Sequence, residues 1–334
     1  MLLKNTEISV IMSVYNSETW LKESIQSVLD QTFKNFEFII INDGSNDRSS
    51  QIIENFKKKD SRIRVINNNE NIGLANSLNK GILASKGNWI ARIDADDICY
   101  KSRFKDLISL SKTFHNTLLF GSSHNEINEK GEILRHCIYP SKSKRLKFRL
   151  ITKGGFFSHS SAFYSRKLVE DLGGYRPQIH RAEDYDLWLR ISEKTQIICA
   201  TKPLVSVRQH NSQISKENGM KRQIVDSNVA LVLFFLRKLK IEPKLESENF
   251  NKLMKTVDND FDKSSSLEYL IFIDFIKSKL RKTELSARGL LTLLFYILKQ
   301  PKFTIRWTLR PLYEIYTSLK ITGKYISAIK NQGV

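Results

Sequence analysis

Three short segments, residues 8–14, 36–41 and 89–93, are apolar almost from end to end and rich in Ile and Val. A strand with one wet face alternates polar and apolar residues, so unbroken apolarity predicts strands covered on both faces, as in a parallel sheet. The segments between them carry helical periodicity. Leu21, Ile25, Val28 and Leu29 share one face of residues 18–29, a second helix is predicted over 48–56, and Leu78 and Ile82 anchor a third over 74–84. Strand alternating with helix predicts an α/β fold with a doubly wound sheet.

In such a sheet, ligands bind beyond the carboxyl ends of the strands, where the strand order reverses. Three polar loops follow strands in this way and are expected to line one crevice: Tyr15-Asn16-Ser17, Asn42-Asp43-Gly44-Ser45 and Asp94-Ala95-Asp96-Asp97. The last places three carboxylates within four positions of a chain whose net charge is +19. Carboxylates that close repel one another, and burying one without a partner is costly, so the cluster is expected to hold a hard divalent cation. In the second loop Gly44 suits a tight turn, Asp43 projects from the strand end, and Asp47 is placed to cap the helix that follows.

A chain of 334 residues that is 41% hydrophobic has the length of about two domains. Residues 128–131 read as a turn, 158–164 and 204–208 as strands, and 182–192 as an amphipathic helix. Strand signals then stop, which places a boundary near Ser212: an α/β domain over 1–211 and a helical, basic region over 212–334. Cys99, Cys137 and Cys199 are far apart and form no C-x-x-C, so spacing predicts neither a disulfide framework nor a zinc site, and buried thiols in a reducing compartment fit best. The first residues enter a strand pattern without room for a signal peptide. The longest apolar run, 289–298, covers roughly half a bilayer core at about 1.5 Å per residue. A cytoplasmic location is expected, peripheral on the inner face of the membrane if the basic C-terminal region docks there. Residues 277–330 hold 12 Lys and Arg against only Glu284 and Glu314, with Trp307, Tyr313, Tyr316 and Tyr325 among them. That composition suits a helix lying on anionic lipid, and equally a solvated face packed on the catalytic domain.

Taken together, Ser13-Val14-Tyr15-Asn16, Asn42-Asp43-Gly44-Ser45-Asn46-Asp47, Asn71-Ile72-Gly73-Leu74-Ala75, Asp94-Ala95-Asp96-Asp97 and Ala182-Glu183-Asp184-Tyr185-Asp186-Leu187-Trp188-Leu189-Arg190 match in order and spacing. In these motifs the first 210 or so residues resemble the inverting family 2 glycosyltransferases. The resemblance implies a Rossmann-like, glycosyltransferase A-type fold with a mainly parallel mixed sheet and a nucleotide-diphospho-sugar donor. It further implies that Tyr15 and Asp43 contact the donor base, with Asn16 and Ala95 in the same pocket, and that Asp94 holds the ribose or lies beside the metal. Asp96 would ligate Mn²⁺ or Mg²⁺, His210 would approach the metal or pyrophosphate, and Asp97 is either a second ligand or a cap for the helix near Arg103. Asp184, with Glu183 beside it, would be the base. A helix N-terminus favours an ionised carboxylate, so simple capping is the competing reading for this pair. Ser13 stands where the family often has proline, and Asn42 where a second acidic residue often precedes the turn.

Asp186 is expected to be a surface or structural partner, and Arg92, Lys80 and Arg208 are possible phosphate partners. His159 and Trp188 are expected towards the acceptor side, and Gly173-Gly174-Tyr175 as a mobile loop that closes over the donor sugar. The acceptor implied is a glycan or a lipid-linked sugar in surface polysaccharide synthesis. Two other classes remain open at this point. A pI near 9.7, with aromatic residues among Lys and Arg after Lys299, suits nucleic-acid binding, which would leave the carboxylates unexplained; no nucleic acid is therefore expected as partner. A catalytically silent, membrane-attached scaffold is the other class, and the retained carboxylates argue against it.

Overall fold

A computed structural model of the protein describes residues 6–141, 143–153, 157–210 and 220–238, with 245, 248, 250 and 251. The chain divides into two compact units, one of Met1–Leu150 with Gly154–Gln223 and one of Ile151–Lys153 with Ile224–Val334.

The first unit is built on four parallel strands in the order β3-β2-β1-β4: β1 (Ile8–Val14), β2 (Phe36–Asn42), β3 (Ile63–Asn67) and β4 (Trp89–Arg92). Every residue of β2 is buried and only Ser13 of β1 is partly open, as unbroken apolarity predicts for inner strands. Helices α1 (Glu18–Leu29), α2 (Ser49–Lys57) and α3 (Leu74–Ala84) make the crossovers, and Leu21, Ile25, Val28 and Leu29 bury the face their spacing defines. The edge strand β3 escapes the sequence pattern because Arg64 interrupts its apolar residues. That guanidinium reaches across to Glu37 of β2 at 2.5 Å.

Beyond β4 the sheet becomes mixed. β8 (Phe163–Ser165) runs antiparallel to β4 and joins it to the long β6 (Thr117–Ile127), which pairs in parallel with β9 (Gln196–Arg208). β7 (Ile133–Cys137) hangs on β6 as a hairpin. The short β5 (Ile98–Cys99) directly follows the Asp94-to-Asp97 turn and pairs with β9 through Ile98 and Ser206. This pairing curls the nine-stranded sheet and brings the end of β9, with His210 just beyond it, beside the acidic turn. α4 (Arg103–Thr113), α5 (Ser143–Lys153), α6 (Arg166–Asp171) and α7 (Glu183–Ser192) complete the elements wholly or mainly in this unit. The fold is therefore the expected Rossmann-like α/β arrangement with a mainly parallel mixed sheet.

One expected strand is shorter than its sequence suggests. Over 158–164 the first part is a helical turn, His159–Ser161, and extension begins only at Phe163. The serines cause this: the Ser161 hydroxyl donates to the carbonyl of Ser158 at 2.9 Å, a local bond that competes with a strand ladder.

In the second unit the described residues include most of α8 (Met220–Lys238), where Val229, Ala230, Leu233 and Phe234 form one buried stripe. The basic region expected over 277–330 lies outside the described residues. Among the described residues no helix is long and apolar enough to cross a membrane.

Candidate active site

The loops after β1, β2 and β3 are stitched together by side-chain bonds to backbone. Asn16, at φ +46°, accepts from the Asn46 amide at 2.8 Å while its own amide donates to Ser45 Oγ at 3.1 Å. Asp47 holds two loops at once, accepting from the amides of Glu18 and Ser49, both at 2.9 Å. Asn42 Oδ1 accepts from the Ser45 amide at 3.1 Å, so a neutral side chain closes the turn in which an acidic one is common. Gly44 sits at φ +73°, and a Cβ there would lie 2.6 Å from the Glu70 carbonyl carbon. Only glycine lets the second and third loops come this close.

Asp43 is 2% exposed, and its carboxylate accepts from Asn68 Nδ2, Ile72 N and Gly73 N at 2.8, 3.0 and 3.1 Å. A carboxylate has about four acceptor positions, so these bonds organise the third loop and leave one position over. Tyr15, by contrast, is 45% exposed. Lys80 donates to Asn68 Oδ1 at 2.7 Å, which supports that same loop.

The acidic turn after β4 is held from beneath by two buried arginines. Arg92 pairs with both oxygens of Asp94 and donates to Ser160 Oγ at 3.2 Å, and Ser160 in turn accepts from the Asp94 amide at 3.0 Å. Arg208 donates its amide to Asp97 at 2.9 Å and its Nε to the Asp96 carbonyl at 3.0 Å, and reaches Glu23 at 2.6 Å. Asp96 Oδ2 meets His210 Nε2 at 2.9 Å, and the imidazole packs at a tilt against Trp20 with ring centroids 4.3 Å apart. Carboxylate oxygens of Asp94, Asp96 and Asp97 all come within 4.8 Å of one another. Burial and then the charges of Asp96 and Asp94 push the Asp97 carboxyl well above its ordinary range. An all-carboxylate set joined by an imidazole suits a divalent cation of the Mg²⁺ and Mn²⁺ kind. His210 Nδ1 is buried without a hydrogen-bond partner among the described residues, as fits a ring that serves the turn through one nitrogen.

The second cluster opens α7. Leu187, Trp188 and Ile191 bury its inner face and present Glu183 and Asp184 at its N-terminus. Burial raises both carboxyls, Glu183 further by the charge of Asp184 and Asp184 further by that of Asp94. The charge of Arg92, the guanidinium that holds Asp94, draws both back down. His159 Nδ1 stands 4.0 Å from Glu183, while its Nε2 shares a 2.8 Å hydrogen bond with Tyr175 Oη, and Tyr175 meets Tyr164 Oη at 3.1 Å. Burial and then Arg92 keep His159 neutral, its pKa well below the ordinary value.

Asp186, fully buried, accepts from Arg190 at 2.8 Å and lies 3.4 Å from Arg176, so its role is structural as expected. Arg190 also donates to the carbonyls of Leu172 and Gly174 at 2.9 and 2.8 Å. The loop expected to be mobile is therefore clamped. On its other side Asn79 exchanges two 2.8 Å bonds with the Tyr175 backbone, leaving no room for a side chain at Gly174.

The fold thus brings Asp94, Ala95, Asp96, Asp97 and His210 together, stitches Tyr15, Asn16 and Asp43 into the adjoining loops, and sets Glu183 and Asp184 at the start of α7 within reach of the charges of Arg92 and Asp94. Of the three basic residues considered as phosphate partners, Arg92, Arg208 and Lys80 all serve protein groups. Trp20 and Ser160 escape sequence reading: the first sits in an ordinary amphipathic helix and the second in a serine-rich run, and neither context marks a site.

Comparison with known proteins agrees with this geometry. The model of the family described as Glycosyl transferase family 2 matches residues 9–173. A Haemophilus influenzae protein named as an uncharacterized glycosyltransferase is 28% identical over 341 residues, covering 96% of this chain and 97% of its own. The Bacillus subtilis protein EpsE, also named as a glycosyltransferase, is 34% identical over 191 residues, 56% of this chain and 67% of its own. Among solved structures, S. aureus TarS 1–349 in complex with UDP superposes with a TM-score of 0.55 at 19% identity, over 75% of this chain and 80% of that one. The mannosyltransferase PcManGT from Pyrobaculum calidifontis, in complex with GDP-Man and Mn²⁺, gives 0.52 at 15% identity, over 96% and 88%. Fold, motif order and relatives converge, and the chain belongs to glycosyl transferase family 2 as a glycosyltransferase.

Proposed function

We propose that the protein moves a sugar from a nucleoside-diphosphate sugar, UDP-linked in the first instance, to a hydroxyl of a glycan or lipid-linked acceptor in surface polysaccharide synthesis. The observation that carries this reading is the acidic turn itself: Asp94, Asp96 and Asp97 each bring a carboxylate oxygen within 4.8 Å of the others, and His210 meets Asp96 at 2.9 Å. The structural neighbours TarS, with UDP and UDP-GlcNAc, and PcManGT, with GDP-Man and Mn²⁺, support a nucleotide-sugar donor.

In this reading residues 1–211 form the catalytic domain. The exposed ring of Tyr15 stacks on the base, the spare acceptor position of Asp43 takes a base N–H, and Asn16 and Ala95 line the same pocket. Asp94 receives the ribose. Asp96 and His210, with Asp97 beneath them, hold Mn²⁺ or Mg²⁺, which when bound supplies Lewis-acid stabilisation of the departing diphosphate. Asp184 is the more open of the α7 pair and accepts the proton of the acceptor hydroxyl, while Glu183 packs towards His159. A single displacement inverts the anomeric centre.

The test is donor-resolved thermal unfolding. Each nucleotide sugar is added with Mn²⁺, and the midpoint shift identifies the donor through binding linkage. The reading expects one UDP-sugar to protect the protein and Asp96→Ala to lose that protection. No shift with any donor, together with strongly salt-dependent RNA or DNA binding, would instead make the protein a nucleic-acid binder.

A further inference from the structure

The β6–β7 hairpin carries a second group of chemistry-bearing side chains, apart from the donor site. His124 lies opposite Cys137 and Glu126 opposite Arg135. Residues two apart on a strand share a face, as do residues paired across strands, so these four project to one side of the hairpin. The other side is already satisfied: Asn125 and His136 bond to each other at 2.7 Å and Asn125 reaches Tyr100 Oη at 2.5 Å.

On the first side, one ligating atom each from His124, Glu126 and Cys137 comes within 4.8 Å of the others. Cys137 Sγ lies 3.6 Å from Glu126 Oε1. His124 is 6% exposed, and its Nδ1 is buried with no hydrogen-bond partner among the described residues. Burying a polar nitrogen unpaired is costly, and a bound cation in contact with the ring relieves such a cost. The Tyr139 ring stands 5.7 Å from the imidazole. Arg135 holds Glu126 at 2.5 and 3.1 Å but is itself 67% exposed, so it is a partner that a stronger cation displaces into water.

Thiolate, imidazole and carboxylate together form the donor set of Zn²⁺ and ill suit Mg²⁺ or Mn²⁺, which prefer oxygen. We propose that His124, Glu126 and Cys137 bind one Zn²⁺, with a fourth position open to water, and so staple β7 to β6. Binding releases the Cys137 thiol proton to solvent. The staple reaches the donor site through the hairpin turn. The carbonyls of Asn128 and Glu129 accept from Arg208 at 3.1 and 2.9 Å, and Trp20, which packs against His210, donates to Glu129 O at 3.3 Å.

The test uses the full chain, stripped with a chelator and titrated with Zn²⁺ or Co²⁺. One equivalent is expected to bind in the Asp96→Ala background, where the donor turn is disabled, and to raise the unfolding midpoint, and Co²⁺ is expected to give a near-ultraviolet thiolate-to-cobalt band. Cys137→Ser should abolish that band, and His124→Gln should weaken Zn²⁺ by more than the roughly 10–100-fold that loss of a mere supporting group costs. Arg135→Ala, which releases Glu126, should tighten binding, and weaker binding there counts against the site. Asp96→Ala should keep the band, which separates this site from the donor turn. A wild type without the band, or the same band in Cys137→Ser, overturns the proposal. A measurement free of variants is the alkylation of Cys137 read by peptide mass. Saturating Zn²⁺ should slow it strongly, and an unchanged rate refutes thiolate ligation.

Discussion

Asp96 is held by its surroundings with little freedom: its carbonyl takes Arg208, its carboxylate takes His210, and the carboxylates of Asp94 and Asp97 lie close by. Asp96→Ala is therefore expected to remove metal-supported turnover by several orders of magnitude while leaving the unfolding midpoint near that of wild type, as checked by donor consumption and calorimetry in parallel. Asp184→Asn should cost transfer on the order of 10²–10⁴-fold with donor binding unchanged, since it removes only a proton acceptor. Near-normal turnover in either variant would remove the role assigned to that residue. Glu183 gives a pH signature. Its folded carboxyl is pushed from an ordinary 4.5 up to about 8, by burial and then by Asp184. A raised carboxyl favours the fold only while protonated, so its contribution is complete below 4.5 and is lost as pH rises towards about 8. The wild-type midpoint should fall through that window relative to Glu183→Gln, and parallel curves for the two proteins would contradict the shift.

At the scale of elements, α7 and the 172–175 loop behave as one clamped piece. Asp186 neutralises Arg190 with no solvent to help, and Arg190 spends its remaining donors on Leu172 and Gly174. Asp186→Ala leaves an uncompensated buried guanidinium and should destabilise by about 3–5 kcal/mol in denaturant titration. A change below about 1 kcal/mol would mean that Arg176 and the carbonyls suffice without the carboxylate. The loop after β2 depends on Gly44 in a different way, through positive φ and lack of a side chain. Strain of that kind costs of order 1–3 kcal/mol, so Gly44→Ala should lower stability by about that much and weaken donor binding, because Asn16, Asp47 and Asp43 are all tied to its turn.

For the whole molecule, the excess positive charge and the acidic site belong to different stretches of the chain. If the charge of residues 277–330 serves an anionic membrane, deleting 277–334 should reduce sedimentation with anionic liposomes, and undiminished binding would place the membrane contact elsewhere. The three inner parallel strands β1, β2 and β4, the three crossover helices and the acidic turn are legible in one dimension, whereas the edge strand β3 is not. Buried parallel strands need continuous apolarity, and helices need a stripe, so Ile8, Phe38, Leu21 and Ile25 announce their places locally. β6 was not legible, because Ser122, Ser123, His124 and Asn125 are polar yet buried, satisfied or not by partners far along the chain. The serine turn before Phe163 was misread for a related reason, its hydroxyls outcompeting the ladder that Phe163 and Tyr164 suggest. Local composition therefore identifies the strand ends, the carboxylates and the polar loops only one element at a time. That Arg208 supports the acidic turn follows from the curl of the sheet, and that Cys137 meets His124 despite a spacing with no zinc motif follows from the register of the β6–β7 hairpin. Pairing across strands sets those distances, and pairing is decided by long-range packing and register, which no local pattern encodes.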